Sequence, residues 1–167
     1  IFAITGLGRD SGKDFVTQSL AAAFAATHKN VLVIEGDFRH PTLPGSNNNL
    51  LRLEDFLTGT NLMPSIDSTD KRMYLMTNKM RDTALSELAD KMTIKEKTDL
   101  LRSMFDVILI VTAPLDEGSN AREWLTYADS AIAVYPSGTA ISETQKQQIA
   151  DIGSSGTAFA GWVLNKA

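Results

Sequence analysis

Apolar residues along this chain gather into short unbroken runs, separated by stretches where they recur every three or four positions. IFAIT, residues 1 to 5, is one such run, closed by Gly6, and reads as a buried strand. A loop with three glycines leads through Gly12. From Lys13 the apolar positions Val16, Leu20 and Phe24 fall at helical spacing, in an Ala-rich stretch reaching about His28. VLVIEG, 31 to 36, shows no polar alternation, as expected of a parallel strand covered on both faces. Pro41, Pro44, Gly45 and the Asn run 47 to 49 mark a long surface connection, followed by a short helix from Leu53 to Leu57 closed by Gly59. MYLMT, 73 to 77, predicts a strand, and helical spacing returns between Ala84 and Met104. FDVILIVTAP carries the second strongly buried strand at 106 to 112. Beyond it the pattern predicts a helix over 119 to 128 and a strand over 130 to 135. A helix over 142 to 152 follows, with Ser142 and Gln145 spaced as a capping box, and a last strand over 159 to 164.

Strands alternating with helices specify an α/β fold with a doubly wound, mostly parallel sheet in three αβα layers, because right-handed crossovers place helices on both faces. Neither repeat nor linker interrupts the alternation, so residues 1 to 167 are expected to form a single domain. That length buries roughly two-thirds of the surface an unfolded chain exposes, enough to fold without staples. With 43% hydrophobic and 22% charged residues, disordered and fibrous classes drop out. Cysteine is absent, which excludes a disulfide framework and thiolate metal sites. The net charge of −4 and the scattered Lys and Arg leave no broad basic face, arguing against nucleic acid or anionic membrane as partners. The longest apolar run, Val107 to Leu115, is far short of the ~20 residues of a spanning helix. Because the chain opens directly on strand-like sequence without Met, it is expected to be a domain excised from a longer protein.

Chemistry concentrates at two strand ends. Strand, Gly-rich loop, Gly-Lys and helix is the arrangement that sets backbone N–H groups and a helix N-terminus around a phosphate, with Lys13 as point charge. The full pattern is G-x-x-x-x-G-K-S/T, and GLGRDSGKD matches it in part: Leu7 stands at the first Gly, Asp14 at the hydroxyl. Asp14 offers Mg²⁺ a carboxylate in place of the hydroxyl and, without metal, repels phosphate. Asp10 adds a second negative charge, balanced by Arg9 and Lys13. A plain strand-to-helix turn, with Asp14 favoured by the helix dipole, is the alternative. At the second strand end, VLVIEGDFRHP delivers Glu35 and Asp37, two apart and expected on one face, with Arg39 close by. In a doubly wound sheet this edge is where ligands bind.

The stretch 31 to 41 resembles the second Walker motif of the bacterial tyrosine kinases of capsule and exopolysaccharide assembly, a P-loop NTPase-like family: apolar residues, then D-x-D-x-R and commonly Pro. Glu35 replaces the first Asp, while Asp37, Arg39 and Pro41 are in place. LEDFLTG at 53 to 59, FDVILIVTAP at the Walker B strand and the closing GWVLNKA extend the resemblance along the whole chain. It implies a site for ATP or ADP built on Gly8, Arg9, Asp10, Ser11, Gly12, Lys13, Asp14 and Phe15, with Arg39 and with Asn165 near the base. Lys13 and Asp37 would be catalytic, and Asp14, Glu35 and Asp37 would hold Mg²⁺. It also implies self-association and a cytoplasmic place at the inner face of the plasma membrane, fused or bound to a membrane-embedded polysaccharide co-polymerase that controls chain length.

Departures from the family pattern qualify that implication. Its Walker B Asp is Val111 here, and losing it together with the P-loop hydroxyl is expected to depress phosphoryl transfer severely. The family's Tyr-rich tail is not in this sequence, whose tyrosines, Tyr74, Tyr127 and Tyr135, lie within predicted elements. Two alternatives stay open: an interaction or scaffold module that has lost nucleotide binding, and a partitioning-type ATPase, whose loop carries an extra Lys near the position of Gly8. His28 and His40 read as a helix-end and a loop residue, Trp124 and Trp162 as packing residues, and Asp116 and Glu117 as loop charges.

Overall fold

A computed structural model describes residues 1–43, 51–59, 72–79, 82–117, 119–138, 140–154 and 156–166. Seven strands make one sheet in which every pairing is parallel. Within it β1 (Phe2–Gly6) is flanked by β5 (Val107–Val111), the central strand, and β6 (Ser130–Pro136). Outside β5 come β2 (Val31–Glu35), β4 (Met73–Thr77) and the two-residue β3 (Leu51–Arg52); β7 (Ala158–Asn165) closes the other edge.

Both faces are covered, which is why β2 and β5 read as unbroken apolar runs. Val31 and Val33 of β2 join Leu109 and Val111 of β5 in a core with Val16 and Ala21 of α1 (Lys13–Ala26). Leu32, Ile34, Ile108 and Ile110 face the opposite layer, packing on α2 (Leu53–Thr58), α3 (Leu85–Leu88) and α4 (Lys91–Met104). On that layer α5 (Ser119–Leu125) and α6 (Glu143–Ser154) cover β1 and β6 through Ala121, Leu125 and Ile152.

The elements follow the expected order, with three differences. β3 was not expected: two residues are too few for any periodicity, and it exists only through pairing with Met76 and Thr77. The helical stretch from Ala84 to Met104 is two helices, because Asp90 takes extended backbone and its carboxylate accepts from Met92 N (2.9 Å) and Thr93 N (2.8 Å), starting α4 afresh. Residues 119 to 128 end their helix at Leu125, so Tyr127 sits in the turn beyond it. The capping box of α6 is present: Gln145 N donates to Ser142 Oγ (3.2 Å) and Ser142 N to Gln145 Oε1 (3.0 Å). Pro44, Gly45 and the Asn run 47 to 49 lie outside the described residues.

Candidate functional site

Every strand is parallel, so the loops after β1, β2, β4 and β5 gather along the C-terminal edge of the sheet. Leu7, where the pattern has its first Gly, belongs to the core: it is buried, and its N–H extends the ladder to Val134 O at 3.2 Å. The turn proper begins at Gly8, whose φ of 141° only glycine takes readily, runs through one 3₁₀ turn at Arg9–Ser11, and enters α1 through Gly12 at φ 77°. Asn165, at the end of β7, closes over Gly12: a Cβ there would lie 1.9 Å from Asn165 Nδ2, which donates to Ser11 O at 3.2 Å. Thus Asn165 braces the glycine turn from the far edge of the sheet.

Behind that turn Lys13 is 3% exposed, with its ammonium 3.9 Å from Asp37 Oδ2 and 3.9 Å from Asp14 Oδ1. Asp37 is 1% exposed; its Oδ1 accepts from Arg39 N (3.1 Å) and His40 N (3.0 Å), whereas Oδ2 accepts no hydrogen bond from the described residues. β2 ends at Glu35, but its alternation runs on: Phe38 joins Leu32 and Ile34 in the core of the opposite layer, so Glu35 and Asp37 lie on one face, toward α1, where Asp37 meets Lys13. The two carboxylates do separate work. Glu35 is wholly buried and holds the returning loop, accepting from Thr42 N (2.7 Å), Leu43 N (2.8 Å) and Asp37 N (3.3 Å). Burial pushes its carboxyl up, those amides hold it down, and the nearby charge of Asp14 raises it further. Both oxygens of Glu35 are thereby engaged. Thr42 Oγ1 donates to Asp14 Oδ1 at 2.5 Å, so the loop after β2 is latched to the first turn of α1.

The other expected site residues are placed less centrally. The Arg9 side chain leaves the turn to donate to Glu117, whose second oxygen lies 3.9 Å from His40 Nε2. Arg39 extends outward to Asp82 at 3.6 Å, Asp10 is exposed, and Phe15 is 69% exposed on the first turn of α1. Ser11 is buried, and its Oγ has no partner among the described residues. Val111 is fully buried at the end of β5, opposite Ile4 and Glu35, so this strand brings no carboxylate to the site. No cluster of three or more metal-ligating side chains occurs among the described residues.

Three supporting residues were not legible in advance. Asn78, just past β4, donates to Glu35 O (2.9 Å) and Asp37 O (3.2 Å), and Trp124 Nε1 donates to Gly36 O (3.0 Å). Thr42 completes the set. Asn78 carried a signal, as a polar residue at the C-terminal end of a buried strand; Trp124 and Thr42 carried none, since their partners are remote in sequence.

The arrangement offers what a polyphosphate needs: amides of a glycine turn, a helix N-terminus and a buried ammonium. It also offers a cation an orphaned, buried carboxylate oxygen on Asp37 beside the carboxylate of Asp14, a hard-oxygen donor pair that suits Mg²⁺.

No family model matches the sequence. The tyrosine-protein kinase CpsD of Streptococcus pneumoniae is 23% identical over 171 residues, spanning 99% of this chain and 75% of the relative. Its counterpart from serotype 4 is 25% identical with the same coverage. Among solved structures, the kinase domain of the Escherichia coli tyrosine kinase ETK superposes with a TM-score of 0.84 at 22% identity, over 99% of this chain and 67% of that one. The septum site-determining protein MinD of Pyrococcus horikoshii, complexed with Mg-ADP, gives 0.74 at 20% identity, over 98% and 69%. No helix among the described residues is long and apolar enough to cross a membrane. In sequence along almost its whole length, and in overall fold, the chain resembles the bacterial tyrosine-kinase domains of the P-loop type.

Proposed function

We propose that this chain is a single nucleotide-binding domain of the tyrosine-kinase kind, holding ATP or ADP with Mg²⁺ at the β1–α1 turn and transferring phosphate weakly or not at all. The observation that carries this reading is the buried Lys13 at the start of α1, 3.9 Å from the orphaned oxygen of Asp37. Gly8 to Phe15 would wrap the phosphates, and Asp14 and Asp37 would hold the metal. Glu35 serves the same site by fixing the loop that carries Asp37. Bound Mg²⁺ would supply charge to the phosphate oxygens, and phosphoryl transfer depends on that charge and on positioning. With Val111 where the family has an acid, one of the groups that holds the metal is lost.

The kinship with proteins named tyrosine-protein kinase supports a role in capsule or exopolysaccharide assembly and in control of polymer length. In that role the domain belongs to a longer protein, self-associates, and works at the cytoplasmic face of the membrane with a co-polymerase segment in cis or trans. Calorimetric titration with Mg·ADP tests the nucleotide part, and absence of binding up to millimolar concentration refutes it. Saturation at a hundred times the dissociation constant adds about 2.7 kcal/mol of stability, read as a rise in melting temperature.

A second reading, an interaction module without nucleotide, is favoured by the same two carboxylates, which already neutralise Lys13. A titration without heat and a flat melting temperature select it. A partitioning-type ATPase is distinguished by ATP-dependent dimerisation, measured by sedimentation.

A further inference from the structure

Resting on the nucleotide reading above, we infer that the site admits its nucleotide only as the divalent-cation complex, with Asp14 as the residue that excludes the bare polyphosphate. The charges that face the turn decide this. Lys13 is the buried cation at the turn, and Asp14 and Asp37 lie 3.9 Å from its ammonium, so the three sum to −1 before any phosphate arrives. The neighbouring cations are turned away, Arg9 onto Glu117 and Arg39 onto Asp82. Asp14 cannot simply swing aside, because Thr42 Oγ1 holds its Oδ1 at 2.5 Å, and Thr42 is itself held by Glu35 through its backbone N–H. Asp37 is 1% exposed, and its buried oxygen that faces Lys13 accepts no hydrogen bond from the described residues, so it lacks a compensating donor. A hydroxyl at position 14 would leave the local sum at zero. A divalent cation between these carboxylates changes the sum from −1 to +1 and reverses the sign of the field that the phosphates meet.

One like charge at about 5 Å, at the effective dielectric of a protein surface, shifts affinity by on the order of a hundredfold. Asp14 is 27% exposed, and screening brings its own share nearer tenfold.

The test is calorimetric titration of ADP into the wild-type chain and Asp14→Asn, each with excess Mg²⁺ and with EDTA. Asparagine keeps an acceptor for the Thr42 hydroxyl and removes the charge. Wild type is expected to bind ADP about a hundredfold more weakly in EDTA than in Mg²⁺. The variant is expected to gain about tenfold in EDTA, narrowing the ratio. Equal wild-type affinity in the two buffers, or a ratio unchanged by Asp14→Asn, overturns the inference and leaves the nucleotide site standing. Absence of binding in both buffers sinks the nucleotide reading and this inference together. If Asp14→Asn does not fold, Asp14→Ser, which also removes the charge, carries the same two comparisons.

Discussion

Replacing Gly36 by alanine strikes the point where the site is bolted to the sheet. Gly36 joins β2 to Asp37; its N–H donates to Val111 O at 2.8 Å and its carbonyl accepts from Trp124 Nε1 at 3.0 Å. A Cβ there would stand 2.7 Å from Trp124 Nε1, 2.9 Å from Ile110 Cγ2 and 2.9 Å from Val111 O. Nothing in the backbone conformation forbids alanine, so the effect is one of space alone. The carbonyl of Val111 lies in the ladder of β5 and cannot retreat without loosening it, while the indole can shift only by lengthening its own hydrogen bond. Overpacking of this kind costs about 1–3 kcal/mol, and in a domain of this size each kcal/mol lowers the melting temperature by about 2–4 °C. Thermal unfolding followed by circular dichroism should therefore show Gly36→Ala melting roughly 2–12 °C below wild type. Trp124→Phe should be destabilising by itself, because it leaves Gly36 O without its buried donor. It also removes the nearest clash, so the double variant should be less destabilised than the sum of the two. Strict additivity, or an alanine variant that melts with wild type, would refute the packing argument.

Three more expectations follow from the site. Lys13→Met should lower stability by about 3 kcal/mol in the absence of any ligand, since it strands the buried charge of Asp37, and Lys13→Met with Asp37→Asn should recover most of it; an undiminished urea midpoint for the single variant contradicts the pairing. Burial raises the Glu35 carboxyl above its ordinary 4.5, so the folded state keeps that proton longer than the unfolded chain does. Its contribution is then fully present below pH 4.5 and is lost as pH rises through the elevated folded value, so wild type should lose stability relative to Glu35→Gln from pH 4.5 upward, and a pH-independent difference would count against this. Glu117→Ala should free Arg9 toward the turn and raise Mg·ADP affinity several-fold with a steeper salt dependence; unchanged affinity would mean that Glu117 does not divert it.

The parallel sheet was readable because β2, β4 and β5 are short apolar runs with both faces covered, and nothing but a buried strand combines that length with that composition. Turn chemistry was readable at Gly59, where φ is 78°, and at Ser142 with Gln145, because each device is local. What escaped was tertiary. The break at Asp90 was hidden because Leu85, Ile94 and Leu101 keep presenting apolar groups to one core across it. At the candidate site, the convergence of the glycine turn, Lys13, Asp14 and Asp37 could be anticipated, but not the partition of duties between the two carboxylates after β2. That partition depends on Thr42, Leu43 and Asn78 converging on Glu35 and Asp37, and on Trp124 holding the carbonyl of Gly36, contacts that no periodicity announces. The outward course of Arg9 was equally hidden, because Glu117 reaches it across 108 positions of chain.

The placement of β1 governs when the domain can come into being. Phe2 is registered against Leu109 on one side and Ser130 on the other, so β1 cannot complete its pairing until the chain has been made as far as Ser130. Meanwhile β2 and β4 can join over a shorter span, giving a nascent sheet that lacks its middle. Closing such distant parallel pairings is slow, and the segment from Gly8 to Gly12 takes its working shape only after Asn165 arrives. Any ligand that recognises this turn would therefore act late, once β7 has been made, and would not guide the assembly of the sheet.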